Sequence, residues 1–384
     1  MKYSGSLKSK LPQVKTTIFT VMSALAKQEN AVNLSQGFPD FSCEPKLLDA
    51  VNKALKSGKN QYAPMAGLIG LREKIAAKTE MLYGAKYHPE TEITISAGAT
   101  QAIFTAIHAV VHYGDEVIIF EPAYDCYAPA VELAGGICKY IPLHPPGYEI
   151  DWEAVKKVCS KNTKLIILNS PHNPSGATLS SQDLDKLEKL VSGTDILILS
   201  DEVYEHILFD GQKHQSVATR PALAERSFVV SSFGKTYHVT GWKTGYVIAP
   251  ELLMNEFRKV HQYNVFCVNH PMQAAIEELL DDQSLYLGLS AFYEEKRDLF
   301  LNLVKDSRFT FEASKGTYFQ NLNYGHISDE PDTDFAVRLT KDYKIASIPL
   351  SVFYREGHDH KMLRFCFAKE NDTLKKAAEI LCRI

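Results

Sequence analysis

Residues 228–245, FVVSSFGKTYHVTGWKTG, place two lysines and two serines directly after a short apolar run. The run is typical of a buried strand, and Gly234 loosens the turn that carries Lys235. In open α/β sheets, chemistry is usually located on such turns. Ser232 and Lys243 could hold a phosphate beside the Lys235 amine. The pattern suits a lysine that forms a Schiff base with a phosphate-bearing aldehyde, pyridoxal 5′-phosphate, although plain basic loops have similar sequences.

Two other interpretations of this stretch have less support. A nucleotide-binding P-loop has the pattern G-x-x-x-x-G-K-[ST], which requires glycine at position 229, where the chain has Val229. No predicted strand is followed by G-x-G-x-x-G, the pattern expected of a nicotinamide-dependent dehydrogenase. The Schiff-base interpretation therefore depends on whether other strand ends supply partners for the same cofactor.

Phosphate-binding and ring-stacking groups follow the first two predicted strands. The run at 92–96 leads into Gly98, Ala99 and Thr100, at the start of an apolar helix whose backbone N–H groups can bind phosphate. The next strand is followed by Tyr124, whose ring could stack on a flat cofactor. A tight turn and ordinary packing would explain the same residues, so each signal is weak when taken alone.

An amide and a carboxylate follow two later strands. The run at 165–169 leads into Asn173 in the loop SPHNPSG, although Asn-Pro and Ser-Gly pairs also favour turns that have no function. Asp201 comes directly after the apolar run at 196–200. A buried carboxylate is costly unless it is paired, as a protonated pyridine nitrogen would do, and the alternative role is a helix N-cap. Tyr204 could reach the phenolic oxygen of the same ring.

The elements that position these groups alternate between short apolar strands and helices. This alternation predicts an α/β fold with a mostly parallel, doubly wound sheet. We expect strands at 92–96, 116–120, 137–143, 165–169, 196–200 and 228–232, and helices at 17–27, 45–56, 181–193 and 291–306, with further helices that begin near Leu68, Thr100 and Tyr127.

The pattern changes after about residue 285, where a long charged helix precedes short strands and a final helix. We therefore predict a large cofactor-binding domain at 45–285 and a smaller α+β domain at 286–384. Residues 1–44 are predicted to form an N-terminal arm that is part of the small domain. A chain of 384 residues is long enough for one large core and a second, smaller domain.

Composition is that of an ordinary globular protein, with 45% hydrophobic and 23% charged residues. The formal net charge of -4 gives no support for binding to nucleic acid or to acidic membranes. The seven cysteines are scattered and form no C-x-x-C pair, which indicates reduced thiols and argues against a zinc site. No apolar stretch approaches the length of a membrane span, so we predict a cytoplasmic protein without a metal.

Taken together, these motifs resemble those of the class I/II (fold type I) pyridoxal-phosphate aminotransferases over nearly the whole chain. SPHNPSG matches the N-P-x-G loop of that family, and SDEVY matches its D-x-x-Y motif. SSFGKTYHVTGWKTG matches its lysine signature, and MLRFCF matches its late arginine motif. Within the family, the sequence is similar to the methionine, kynurenine and glutamine–phenylpyruvate aminotransferases.

This resemblance implies a role for each matching residue. Lys235 would form the Schiff base and move the proton, and Asp201 would pair with the pyridinium nitrogen. Tyr124 would stack on the ring, while Asn173 and Tyr204 would contact its phenolic oxygen. The residues implied around the phosphate are Gly98, Ala99, Thr100, Ser232 and Lys243, together with Tyr62 from the neighbouring subunit of a homodimer. The residues implied for the substrate carboxylate are Arg364, Asn173 and the backbone of Gly37.

Three departures from the family pattern are visible. Many relatives have arginine where this chain has Lys243. The phosphate would therefore contact the single charge of an ammonium group rather than a bidentate guanidinium. His172 and Ser175 replace the residues most often seen beside Asn173. No second arginine is obvious for a side-chain carboxylate, which disfavours an aspartate-type substrate.

The predicted reaction transfers the amino group of methionine or an aromatic amino acid to a 2-oxo acid, by way of pyridoxamine phosphate. Phe19 on the arm and Phe266 in a predicted loop at 261–271 would form the apolar substrate pocket. The sequence is equally consistent with both residues lying in the core or at a dimer interface instead. Two alternatives keep the cofactor. One is a carbon–sulfur β-lyase. The other is a non-catalytic regulator that binds the cofactor, and this alternative has less support because no helix-turn-helix extension is present.

Overall fold

A computed structural model describes residue 1 and residues 3–384. The helices are α1 Ile18–Gln28, α2 Pro45–Lys56, α3 Ile69–Tyr83, α4 Gly98–Val110, α5 Tyr127–Ala134, α6 Trp152–Val158, α7 Ser181–Val191, α8 Pro221–Ala224, α9 Phe233–Thr236, α10 Glu251–Asn264, α11 His270–Leu279, α12 Ser284–Leu287, α13 Leu289–Val304, α14 Asp332–Asp342 and α15 Asn371–Leu381. The strands are β1 Val32–Asn33, β2 Ile93–Ser96, β3 Glu116–Glu121, β4 Ile137–Pro142, β5 Thr163–Asn169, β6 Leu197–Asp201, β7 Ser227–Ser232, β8 Gly245–Ile248, β9 Phe319–Asn323, β10 Ile345–Ala346, β11 Ile348–Pro349 and β12 Met362–Cys366.

The main sheet has seven strands in the order β2-β8-β7-β6-β5-β3-β4. β8 runs antiparallel to both of its neighbours, whereas the remaining pairs are parallel. Successive residues of the central strands face opposite sides, so Ile166 packs in one core, and Leu165 and Ile167 pack in the other. Helices cover both faces, and the predicted α/β, mostly parallel, doubly wound sheet is confirmed.

Parallel pairing brings the carboxyl ends of the central strands together. Asn169 is the register partner of Asp201, so an amide and a carboxylate lie side by side at the sheet edge. On the far side of β7, Ser232 pairs with Gly245. This edge is where open α/β sheets bind ligands.

Two smaller sheets lie outside the main one. β11, β12 and β9 form an antiparallel sheet, in which Arg364 pairs with Asn321. β1 from the N-terminal arm pairs in parallel with β10, so that Val32 is opposite Ile345. The predicted division at residues 44 and 285 stays a prediction, and this pairing ties the arm to the C-terminal part of the chain.

Several predicted boundaries need correction. α4 begins at Gly98 rather than Thr100, because Gly98 takes the turn with φ +75° and the helix follows at once. The predicted loop at 261–271 is much shorter, since α10 continues to Asn264 and α11 begins at His270. The short strand β8 was not predicted. Among residues 1 and 3–384, no helix is both long and apolar enough to cross a membrane.

Candidate active site

The lysine lies on a short helix that directly follows the central strand β7. Ser232 ends the strand and caps α9, since its hydroxyl accepts a hydrogen bond from the Gly234 N–H at 3.2 Å. This cap fixes the turn and directs Lys235 into a cleft, called here the lysine cleft. Ten of the predicted residues line it: Gly98, Ala99, Thr100, Tyr124, Asn173, Asp201, Tyr204, Ser232, Lys235 and Lys243.

Lys235 has two hydrogen-bond acceptors at its amine. Its Nζ donates to the Tyr318 hydroxyl at 2.6 Å and to the Gly37 carbonyl oxygen at 3.1 Å. Burial lowers the pKa of Lys235 to about 8, helped by the positive charges of Arg364 and Lys243. An amine with such a pKa is partly neutral near physiological pH, as a nucleophile or a base must be. The sequence prediction missed Tyr318, which precedes β9 and carries no motif of its own.

One end of the lysine cleft is suited to a phosphate. The first turn of α4 presents N–H groups of Gly98, Ala99 and Thr100 that have no acceptor within the helix. A Cβ at Gly98 would lie only 3.3 Å from Lys243 Cε, so glycine leaves room for the lysine to lie over the helix start. Ser232 lies at the same end of the cleft. These groups form a compact anion site with one full positive charge.

A buried carboxylate lies in the cleft at the end of β6. Asp201 is 4% exposed, and its Oδ2 accepts a hydrogen bond from the Tyr127 hydroxyl at 2.6 Å. Burial raises the pKa of Asp201 to about 6, an effect that the bond from Tyr127 opposes. The Asn169 side chain donates to the Asp201 carbonyl oxygen at 2.9 Å and so fixes the backbone beside it. Tyr127 and Asn169 were not predicted, although Tyr127 lies three residues after Tyr124 on a helical turn.

Two tyrosines flank the space between the lysine and the phosphate-binding groups. The Tyr124 hydroxyl is 3.3 Å from the Thr100 hydroxyl, so its ring lies beside the start of α4. The Lys235 amine is 5.5 Å from the centre of the Tyr204 ring, which is 2% exposed. Burial raises the pKa of both phenols, so both remain hydrogen-bond donors at neutral pH.

A buried arginine lies beside the cleft. Arg364 is 1% exposed and donates from Nη1 to the Asn173 side-chain oxygen at 2.6 Å. Burial lowers its pKa to about 10, which leaves the guanidinium charged at neutral pH. Three rings lie within cation–π distance of it. The centres of these rings are 3.9 Å away for Phe319 and 5.3 Å away for Phe19 and Phe353.

Five predicted residues are not among those that line the lysine cleft, namely Phe19, Gly37, Tyr62, Phe266 and Arg364, and of these Tyr62 and Phe266 are exposed. Tyr62 is 81% exposed and packs edge-on against Phe266, with ring centres 5.3 Å apart. Phe266 is 46% exposed and is not among the rings around Arg364, whereas Phe19 is. Of the two predicted apolar pocket residues, the structure therefore places Phe19 beside the arginine and Phe266 on a separate exposed surface.

The cleft thus combines a lysine of lowered pKa, a buried carboxylate and an anion site, and an arginine with aromatic neighbours lies beside it. That set can bind a phosphorylated aldehyde covalently and a carboxylic acid beside it. A family model described as aminotransferase class I and II matches residues 29–381. The chain belongs to this family, and it is a pyridoxal-phosphate-dependent aminotransferase. The predictions of family, activity and cofactor are confirmed.

Named relatives are similar over nearly their full lengths. Methionine aminotransferase of Escherichia coli K12 is 49% identical over 97% of each chain. A probable N-succinyldiaminopimelate aminotransferase of Mycobacterium tuberculosis is 35% identical over 96% of each chain. A crystal structure of an Escherichia coli protein assigned a methionine aminotransferase function superposes with a TM-score of 0.97. At 48% identity, it covers 99% of this chain and 100% of its own.

Proposed function

We propose that this chain transfers the amino group of methionine or an aromatic amino acid to a 2-oxo acid, with Lys235 as its catalytic residue. The observation that carries the proposal is that the cleft holding the Lys235 amine is also lined by Asn173, to which the neighbouring Arg364 guanidinium donates a hydrogen bond. Arg364 supplies the charge that a substrate carboxylate requires, and Lys235 supplies an amine of lowered pKa. Each acts on a different part of the same amino acid.

The residues of the lysine cleft fit pyridoxal phosphate. Lys235 would bind its aldehyde carbon, and Asp201 would keep a proton on the ring nitrogen. The Asn173 oxygen is engaged by Arg364, which leaves its NH₂ group free to donate to the phenolic oxygen together with Tyr204. Tyr124 would stack on the ring. The phosphate would be held by Gly98, Ala99, Thr100, Ser232 and Lys243, and by Tyr62 of the second subunit.

When bound, this cofactor supplies an electron sink for the pair left behind as the substrate loses its α-proton. The buried negative charge of Asp201 favours this because it stabilises the protonated ring nitrogen. Lys235 in its neutral form would take the α-proton and return it to the former aldehyde carbon of the cofactor, so that no proton would be gained or lost by the enzyme in that step. Arg364, Asn173 and the Gly37 backbone would hold the carboxylate still meanwhile.

Apolar donors are favoured by the surroundings of the arginine. Phe19, Phe319 and Phe353 pack around Arg364, so the side chain of a bound amino acid would meet rings rather than a second cation. Burial raises the pKa of the Asp125 carboxyl group, and the nearby positive charge of Arg364 opposes that rise. A carboxylate there repels a second carboxylate on the substrate. The Escherichia coli relative named for methionine supports the same choice.

We also propose that the protein is a cytoplasmic homodimer. The exposed pair Tyr62 and Phe266 is suited to an interface, from which Tyr62 would reach the partner's phosphate site and Phe266 its substrate pocket. All seven cysteines are free thiols, which agrees with a reducing compartment. The proposed domains remain an arm at 1–44, a large domain at 45–285 and a small domain at 286–384. Sedimentation of the purified protein would test the dimer, and a monomer that is fully active would contradict it.

The reaction is tested by incubating the purified protein with each of the twenty amino acids and one fixed 2-oxo acid. We expect a new amino acid to form, most rapidly with methionine and aromatic donors. Ammonia with a shortened 2-oxo acid would instead identify a β-lyase, and cofactor binding without turnover would identify a regulator. Lys235→Ala should abolish turnover, whereas Lys213→Ala, which changes an exposed lysine, should not. Aspartate or glutamate as the best donor by a wide margin would overturn the substrate proposal.

A further inference from the structure

The proposed mechanism assigns no role to the buried hydroxyl of Tyr318, although this group contacts the Lys235 amine. This side chain is 0% exposed, and its hydroxyl accepts a hydrogen bond from Lys235 Nζ at 2.6 Å. The same hydroxyl donates to the Gly37 carbonyl oxygen at 2.5 Å, and that oxygen also accepts from Lys235. Lysine, phenol and carbonyl therefore form a closed triangle of hydrogen bonds.

The direction of each bond in this triangle is determined by its members. A carbonyl oxygen can only accept, so the Tyr318 proton is donated to Gly37 and a lone pair of the phenol faces Lys235. Burial raises the pKa of Tyr318 well above its usual value, so the phenol keeps its proton at the pH of catalysis. Tyr318 is thus a neutral acceptor toward the amine and cannot act as a base.

A neutral primary amine has two N–H groups and one lone pair. If Tyr318 and Gly37 each accept one N–H, both protons are engaged and the lone pair is left to point away from them. Lys235 lines the cleft, so that lone pair is available to the bound amino acid. Orienting a base in this way lowers the cost of reaching the reactive geometry.

We propose that Tyr318 is a positioning residue, which together with the Gly37 carbonyl holds the released Lys235 amine so that its lone pair faces the α-carbon of the substrate. This rests on the proposed role of Lys235. The effect requires only the hydroxyl, because the Tyr318 ring is separately packed against Tyr204 at 5.2 Å and Tyr293 at 5.7 Å. Tyr318→Phe therefore removes both hydrogen bonds of the hydroxyl, from Lys235 and to Gly37, and keeps the packing.

The neighbouring Tyr293 offers a matched control. It is also 0% exposed, and its buried hydroxyl has no hydrogen-bond partner among the described residues. Tyr293→Phe therefore deletes one oxygen from the same aromatic cluster without touching the amine. Any general effect of losing a hydroxyl in this cluster should appear in both variants.

The first measurement uses the holoenzyme charged with the amino form of the cofactor, in which the Lys235 amine is free. Acetylation of Lys235 by acetic anhydride is followed across pH by peptide mass spectrometry. Loss of a hydrogen bond to the charged amine should lower the pKa of Lys235 by about one unit in Tyr318→Phe. In Tyr293→Phe, the acetylation profile should match that of the protein without a substitution.

The second measurement is the primary isotope effect on kcat/KM with the best donor deuterated at its α-carbon. In Tyr318→Phe, kcat should fall by about tenfold and the isotope effect should increase, because proton transfer becomes slower than the other steps. An unchanged pKa and isotope effect in Tyr318→Phe would overturn the proposal, as would equal changes in both variants. If Lys235→Ala retained turnover, the proposed function itself would fail, which is a separate result.

Discussion

Arg364 and Asn173 are joined by a 2.6 Å hydrogen bond from Nη1 to the side-chain oxygen, and this bond links the proposed substrate and cofactor sites. Arg364 lies on β12 of the small antiparallel sheet, whereas Asn173 follows β5 of the main sheet. Because the amide oxygen is engaged, the amide NH₂ group must face another partner. The orientation of the amide and the position of the guanidinium therefore depend on each other.

Removing the guanidinium should weaken the binding of every substrate. We expect Arg364→Ala to raise KM by at least tenfold for amino acids and for 2-oxo acids, since a charge-assisted hydrogen bond contributes about 1.5–3 kcal/mol. Steady-state kinetics with two donors and two acceptors measures this. Arg383→Ala, which changes an exposed arginine, is the control. An unchanged KM in Arg364→Ala would mean that another group binds the substrate carboxylate.

Replacing Asn173 by aspartate should produce a similar loss by a different route. The new carboxylate of Asn173→Asp would lie where the amide oxygen now accepts from Arg364, and it would neutralise the guanidinium. It would also lack the NH₂ donor for the cofactor. We expect KM for all substrates to rise by about tenfold or more. Asn162→Asp changes an exposed position and should leave KM unchanged. The same KM in both variants would argue against the proposed role of Asn173.

Asp201 should make the stability of the cofactor-free protein depend on pH. Burial raises its folded pKa to about 6, above the usual 3.8, so the folded state binds the proton more tightly. The folded state is then penalised as pH rises from about 4 to 6, and the full penalty is present above that range. We expect Asp201→Asn to raise the free energy of unfolding at pH 8 by roughly 2–3 kcal/mol.

This gain should shrink at pH 5, where Asp201 is largely protonated in the folded protein. Thermal unfolding at the two pH values measures the difference, with Asp195→Asn at an exposed site as the control. The same Asp201→Asn change should reduce turnover by several orders of magnitude, because the ring nitrogen loses its charged partner. A stabilisation of equal size at both pH values would mean that the buried charge is not its cause.

Asp125 should influence which donors are accepted. Asp125→Asn removes an exposed negative charge that acts on Arg364, and hence a repulsion against a second substrate carboxylate. We expect kcat/KM for glutamate to rise a few-fold relative to methionine, an effect of the size usual for exposed charges. Competition between the two donors in one reaction measures the ratio. The ratio should stay constant in Asp195→Asn, and a constant ratio in Asp125→Asn would remove this residue from substrate selection.

Local sequence was sufficient to predict the residues of the candidate site that lie at strand ends. Asp201, Asn173 and Lys235 each follow an apolar run, and parallel pairing brings such ends together without further information. The helices around them were harder to predict. α10 carries Met254, Phe257 and His261 on its buried face, spaced three and four residues apart, so the helical pattern continues into the segment that was predicted to be a loop.

The missed residues depend on contacts between distant parts of the chain. Tyr318 reaches Lys235 across 83 positions, and Phe319 and Phe353 reach Arg364 only through the packing of the small sheet. Nothing in the sequence near Tyr318 or Phe353 distinguishes a residue of the site from one of the core. Sequence motifs surround Asn173, Tyr204 and the residues of α4. Tyr318, Phe319 and Phe353 have no such motif and are recognised only by their tertiary contacts.

The closed triangle at Lys235 is shared between two parts of the protein. The lysine follows β7 of the seven-stranded sheet, whereas Gly37 follows β1, which pairs with β10, and Tyr318 directly precedes β9 of the three-stranded sheet. Both acceptors are thus anchored by the two smaller sheets, and the donor is anchored by the main sheet. A displacement of a single ångström between the two would lengthen both bonds together. The basicity of one nitrogen thereby depends on how closely the smaller sheets pack against the main sheet.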